Sequence, residues 1–80
     1  MRISLTDDYN TPFALSNEFK EVPLFLCDLE DCETVDDMLR VTNEYSMYRH
    51  WKIKRKTNKK AIFSSSDALG NIHYLIIRGE

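Results

Sequence analysis

A chain of 80 residues with 42% hydrophobic and 30% charged side chains is sized for one small α+β domain over 1–80, and its composition excludes a disordered chain or a long linker. Its net charge of −2 conceals a split: residues 1–47 carry three basic and eleven acidic side chains, residues 48–80 eight basic and two acidic. Such asymmetry points either to pairing between the halves or to two faces with different partners. No apolar run nears the ~20 residues that span a bilayer.

The first stretch, MRISLT, sets Ile3 and Leu5 on one side and Arg2, Ser4 and Thr6 on the other, which predicts a short strand. Asp, Asn, Thr and Pro in the next segment predict a loop, with Phe13, Leu15 and Phe19 tucked beneath the domain. VPLFLCDL, residues 22–29, is apolar, short and carries a proline near its start, so Leu24–Cys27 is expected as a strand entered at Val22 and Pro23. DLEDCE is expected as an acidic loop. Thr34 then begins the clearest helix signal: it can cap the helix, Asp37 follows three residues later, and Asp36 and Asp37 oppose the positive end of the helix dipole. Val35, Met38, Leu39, Thr42 and Tyr45 recur at helical spacing, predicting a helix from about Val35 to about Ser46.

From Tyr48 the period falls to two. Arg49, Trp51, Ile53 and Arg55 alternate with His50, Lys52, Lys54 and Lys56, which predicts a strand with an apolar patch and a basic face. Thr57-Asn58-Lys59 serves as a three-residue hairpin loop with Asn58 or Lys59 left-handed. That register sets Ile53 opposite Phe63 and Arg55 opposite Ala61, and keeps the apolar side chains on one face, which a two-residue loop would not. AIFSSS returns, Gly70-Asn71 supplies a turn, and IHYLIIR, apolar on both faces, reads as a covered strand. The expected architecture is a small two-layer domain: one amphipathic helix on a mainly antiparallel sheet that ends in a three-stranded meander.

YRHWKIKRKTNKK, residues 48–60, holds seven of the eleven lysines and arginines and no carboxylate. Lys52, Lys54, Lys56, Lys59, Lys60 and Arg49 are candidate macromolecule-binding cations, with Tyr48 and Trp51, and more weakly His50, available to stack on bases. The plainer reading makes the lysines a solvated edge that blocks aggregation and Trp51 a core anchor. A third pairs the lysines with the acidic half of the same molecule. The run DLEDCETVDD offers Asp28, Glu30, Asp31 and Glu33 as an acidic docking face. It lacks the glycine and distal glutamate of a calcium loop, and Asp36 and Asp37 are accounted for by the helix start.

Cys27, Cys32, His50 and His73 form a zinc inventory only on paper, because the cysteines are loosely spaced and the histidines far apart. Cys27 is expected in a strand core as a small hydrophobe. No glycine-rich phosphate loop or catalytic signature occurs, and Ser64, Ser65 and Ser66 are ordinary near a turn. The N-terminus lacks the apolar core of a secretory signal, so a cytoplasmic location with reduced cysteines is expected. The sequence thus predicts a non-enzymatic, cofactor-free regulatory or protein-interaction domain, acting on a protein partner or by homo-oligomerisation. The alternative is a nucleic-acid-binding module that uses the basic hairpin 48–60. No membrane association is expected.

Overall fold

Period-two sequence in the C-terminal third produces the framework. In a computed structural model that describes residues 3–79, β2 (Lys52–Lys56), β3 (Lys60–Ser66) and β4 (Ile72–Gly79) form an antiparallel meander. β1 (Ile3–Thr6) joins the outer side of β4, giving the strand order β1-β4-β3-β2. Arg2, expected in β1, lies outside the described residues. α1 (Leu15–Glu18), α2 (Val22–Glu30) and α3 (Val35–Tyr45) cover one face of this sheet, so the protein is a small α+β domain of helices on an antiparallel four-stranded sheet.

Thr34 caps α3 as expected, its hydroxyl accepting from the Asp37 amide at 3.1 Å. Val41 and Thr42 are the buried residues of that helix, with Met38, Leu39 and Tyr45 packed around them. The segment 22–30 departs from expectation. Leu24–Cys27 is helix, not strand, and the expected loop at Asp28–Glu30 is its last turn. Pro23 sits in the first turn, where its missing N–H costs no ladder bond, and Phe25 and Leu29, four apart, form the buried stripe. Cys27 therefore lies on the exposed side of α2 and not in a core. Glu21, just before this helix, is left-handed at φ 49°.

The core is built on aromatic rings. Trp51, Phe19, Phe25 and Phe63 are fully buried, with Leu29, Val41, Ala61, Leu75 and Ile77 around them. Phe19 stacks on Phe25 at 4.4 Å and lies 6.2 Å from Trp51. Asn43 holds the Trp51 backbone from α3: its side-chain oxygen accepts from the Trp51 amide at 2.7 Å and its NH2 donates to the Trp51 carbonyl at 3.1 Å. Helix and strand are thus joined by an amide that imitates a ladder pair.

The hairpin corrects the expected register. Ile53 does pair with Phe63, but Arg55 pairs with Ile62 and not Ala61, and Lys56 takes the place opposite Ala61. A β-bulge at Lys54 absorbs the extra residue. Three residues do separate the strands, yet the Thr57 amide donates to the Lys60 carbonyl at 2.8 Å, closing a tighter turn around Asn58 and Lys59. Neither of those is left-handed; the Thr57 hydroxyl accepts from the Lys60 amide at 3.1 Å instead. At the next turn Gly70 does take the left-handed conformation, with φ 86°.

Candidate functional site

Strand alternation divides the sheet into two faces. Ala61, Phe63, Leu75 and Ile77 point to the helices. Ser4 and Thr6 of β1, Lys60, Ile62, Ser64 and Ser66 of β3, and Ile72, Tyr74, Ile76 and Arg78 of β4 lie on the other face, with no described helix over them. The bulge decides what β2 adds. Lys52 is opposite Ser64 and Arg55 opposite Ile62, both on this open face, and the Lys54 ammonium lies 5.2 Å from the centroid of the Tyr74 ring.

The open face is therefore ordered in cross-strand rows. Lys52, Ser64 and Tyr74 form one; Arg55, Ile62, Ile76 and Thr6 the next; Lys60, Arg78 and Ser4 a third. Five cations stand on its paired rows, Lys52, Lys54, Arg55, Lys60 and Arg78, and no carboxylate is in those rows among the described residues; Asp7 and Asp8 border the face beside Ile72 and Tyr74. Arg78 donates to the Thr6 hydroxyl at 2.6 Å, a neutral partner, and is in no ion pair among the described residues. None of Lys52, Lys54, Lys56, Lys59 and Lys60 is in an ion pair among the described residues, so the internal pairing considered for them is not seen there.

The other candidate cation-site residues lie elsewhere. Arg49 is folded inward: it pairs with Glu18, its guanidinium rests 5.5 Å from the Trp51 ring centroid, and its side chain is 12% exposed. Trp51 is wholly buried and unable to stack on a base. Tyr48 is 76% exposed but lies beside Asp67 and Ala68 at the β3–β4 turn, and His50 is exposed in the approach to β2. Lys56 occupies the core-side register near the hairpin tip, and Lys59 the turn itself.

On the helical layer, Asp28 and Asp31 line a shallow groove of about 240 Å³ with Asp37, Glu44, Arg40 and Cys32, whereas Glu30 and Glu33 are exposed outside it. Arg40 is engaged by Glu44 at 2.8 Å. The Tyr45 hydroxyl donates to Asp28 at 2.5 Å, and this bond pushes the tyrosine pKa up to about 12. Burial raises the Cys32 thiol pKa and nearby Asp37 adds to it; the thiol donates to the Asp28 carbonyl at 3.2 Å. A cysteine so held is kept from the thiolate form that attacks or binds metal. Among the described residues no group of three or more His, Cys, Asp or Glu is placed to hold a metal ion, and no helix is long and apolar enough to cross a membrane.

A larger groove of about 590 Å³ runs beside Ile72–Tyr74, where β1 no longer pairs with β4, and reaches Tyr9, Phe13, Glu18 and Arg49. Its rim holds the His73 ring, whose Nε2 is 2.9 Å from the Asp67 carboxylate. No known family model matches the chain, and neither a curated protein nor a solved structure shows significant similarity to it.

Three open-face residues were not among the candidates read from sequence. Strict alternation puts Arg55 on the apolar side, because the bulge has no signature in KIKRK. The apolar run IHYLIIR puts Arg78 and Tyr74 in a covered strand. The alternation of Tyr74, Ile76 and Arg78 was the available signal, since a strand covered on both faces has no place for an unpaired arginine.

Proposed function

We propose that the protein is a non-enzymatic binding module that docks an anionic macromolecular surface on the open face of its sheet. The observation that supports this is the set of five cations in the paired rows of that face, with no carboxylate in those rows among the described residues, gathered from three strands around Tyr74 and Ile62. Surface cations on an edge strand also limit aggregation, but that role calls for charge on the edges β1 and β2, not on the inner strands. Here Lys60 and Arg78 carry the charge onto β3 and β4.

The test is a set of binding isotherms with heparin, polyglutamate and nucleic acid at low and moderate salt. Paired reversal of Lys52 and Lys60 to glutamate should abolish binding while the circular dichroism spectrum stays unchanged. Reversal of Asp31 and Glu33 to lysine should not weaken it. Retention of full affinity by the Lys52→Glu, Lys60→Glu pair rules out the open face.

One observation favours a second reading, in which the anionic surface belongs to another copy. Asp28, Glu30, Asp31 and Glu33 lie on the layer opposite the cations, so sheet-to-helix stacking would be head-to-tail and would grow rather than close. Light scattering across a concentration series tests it: mass should rise with concentration and fall with salt. A constant monomer mass removes it.

A further inference from the structure

Resting on the open-face reading, we infer that the anionic macromolecule is a single-stranded nucleic acid, with Tyr74 as the platform for a base. The rows of the open face lie two residues apart along the strands, about 7 Å. Lys52, Arg55 and Lys60 head three successive rows on the β2–β3 side, with Arg78 beside Lys60. This is close to the interval between neighbouring phosphates in an extended strand. Across from these cations the rows continue into flat or apolar surface: Ser64 and Tyr74 in the first, and the half-buried Ile62 in the second, beyond which Ile76 is buried. A backbone tracking the cations would lay its bases on that surface.

A duplex fits this arrangement poorly. Its bases are already stacked, and the aromatic ring lies within the sheet, not on a ribbon or helix that enters a groove. Single strands offer free base faces, and aromatic side chains among cations are the means by which proteins hold them. Lys54 is consistent with the same use. Its ammonium lies over the Tyr74 ring, where π electrons stabilise a cation, and a flexible lysine can leave that ring for a phosphate when a base takes its place. An acidic peptide would use the cations but would gain nothing from an aromatic ring as such.

The experiment is fluorescence anisotropy of the whole chain with labelled oligothymidine, a duplex of equal length, and labelled polyglutamate. The single strand should bind at least tenfold more tightly than the duplex. Tyr74→Phe should bind like the original, and Tyr74→Ala should weaken the single strand on the order of tenfold with little effect on polyglutamate. Tyr74→Leu keeps apolar bulk without a ring and should behave like alanine, so a folding defect in Tyr74→Ala does not decide the matter. Each of Lys52→Gln and Arg55→Gln should lower the salt slope by about 0.7. Equal affinity for single strand and duplex, or a Tyr74→Leu variant that binds like the original, overturns the inference and leaves the docking face standing. Binding of polyglutamate alone does the same, whereas no binding of any polyanion at low salt overturns both.

Discussion

At the scale of single residues, the polar groups of the sheet end are unequally satisfied. Asp67 is the best served. His73 donates to one oxygen, and the Leu69 and Asn71 amides donate to the other at 2.9 and 3.0 Å. These bonds, that from His73 foremost, lower its pKa to about 2. A carboxylate depressed in the folded state contributes stability above its unfolded pKa of about 4, and that contribution is lost as pH falls from about 4 to about 2. Asp67→Asn should therefore flatten the acid limb of a stability–pH curve in that window; an unaltered limb would show that the turn does not depend on the charge. Ser65 is the opposite case. Its side chain is buried and its hydroxyl has no partner among the described residues. Ser65→Ala should leave the urea midpoint unchanged or raise stability by about 1 kcal/mol, and a clear loss would reveal a bond to water.

At the scale of elements, α3 and the hairpin make separable predictions. Thr34→Ala removes the one side-chain cap of α3 and should cost about 1 kcal/mol in denaturant unfolding. Deleting Lys54 should be tolerated despite shortening a strand. Without it Ile53 still faces Phe63, Arg55 follows directly opposite Ile62, and the turn is untouched. Thermal melts should shift by no more than about 1 kcal/mol, whereas unfolding would mean that the bulge itself is needed. Both elements also show what a sequence can carry. α3 was legible because cap, dipole and period agree over eleven residues. α2 was not, because a short apolar run with a proline at its second position suits a strand start as well as a first helical turn. The hairpin was legible in its partners, Ile53 with Phe63, but the means differed. A tight turn plus a bulge keeps the apolar side chains on one face as well as a longer loop does, and nothing local in the sequence separates them. The candidate site suffered for that reason: a single extra residue exchanged Arg55 for Lys56 on the open face.

At the scale of the whole molecule, charge and layer coincide. Acidic side chains gather on α2, α3 and their connection, cations on the uncovered side of the sheet, and the core separates them. Arg49 with Glu18 is the ion pair, among the described residues, that joins the basic stretch to the acidic half. The near-neutral sum of the chain thus describes neither surface. Two opposed sheets of charge in a body 22–35 Å across make a permanent electric dipole directed through the layers. Transient electric birefringence should detect it, and the moment should fall when Lys52 and Lys60 are replaced by glutamine. A molecule of this kind feels a torque in the field of any charged surface before it makes contact. It arrives already turned, so fewer encounters are wasted on the wrong side, and dissolved salt slows capture by erasing that alignment as well as by weakening the final grip.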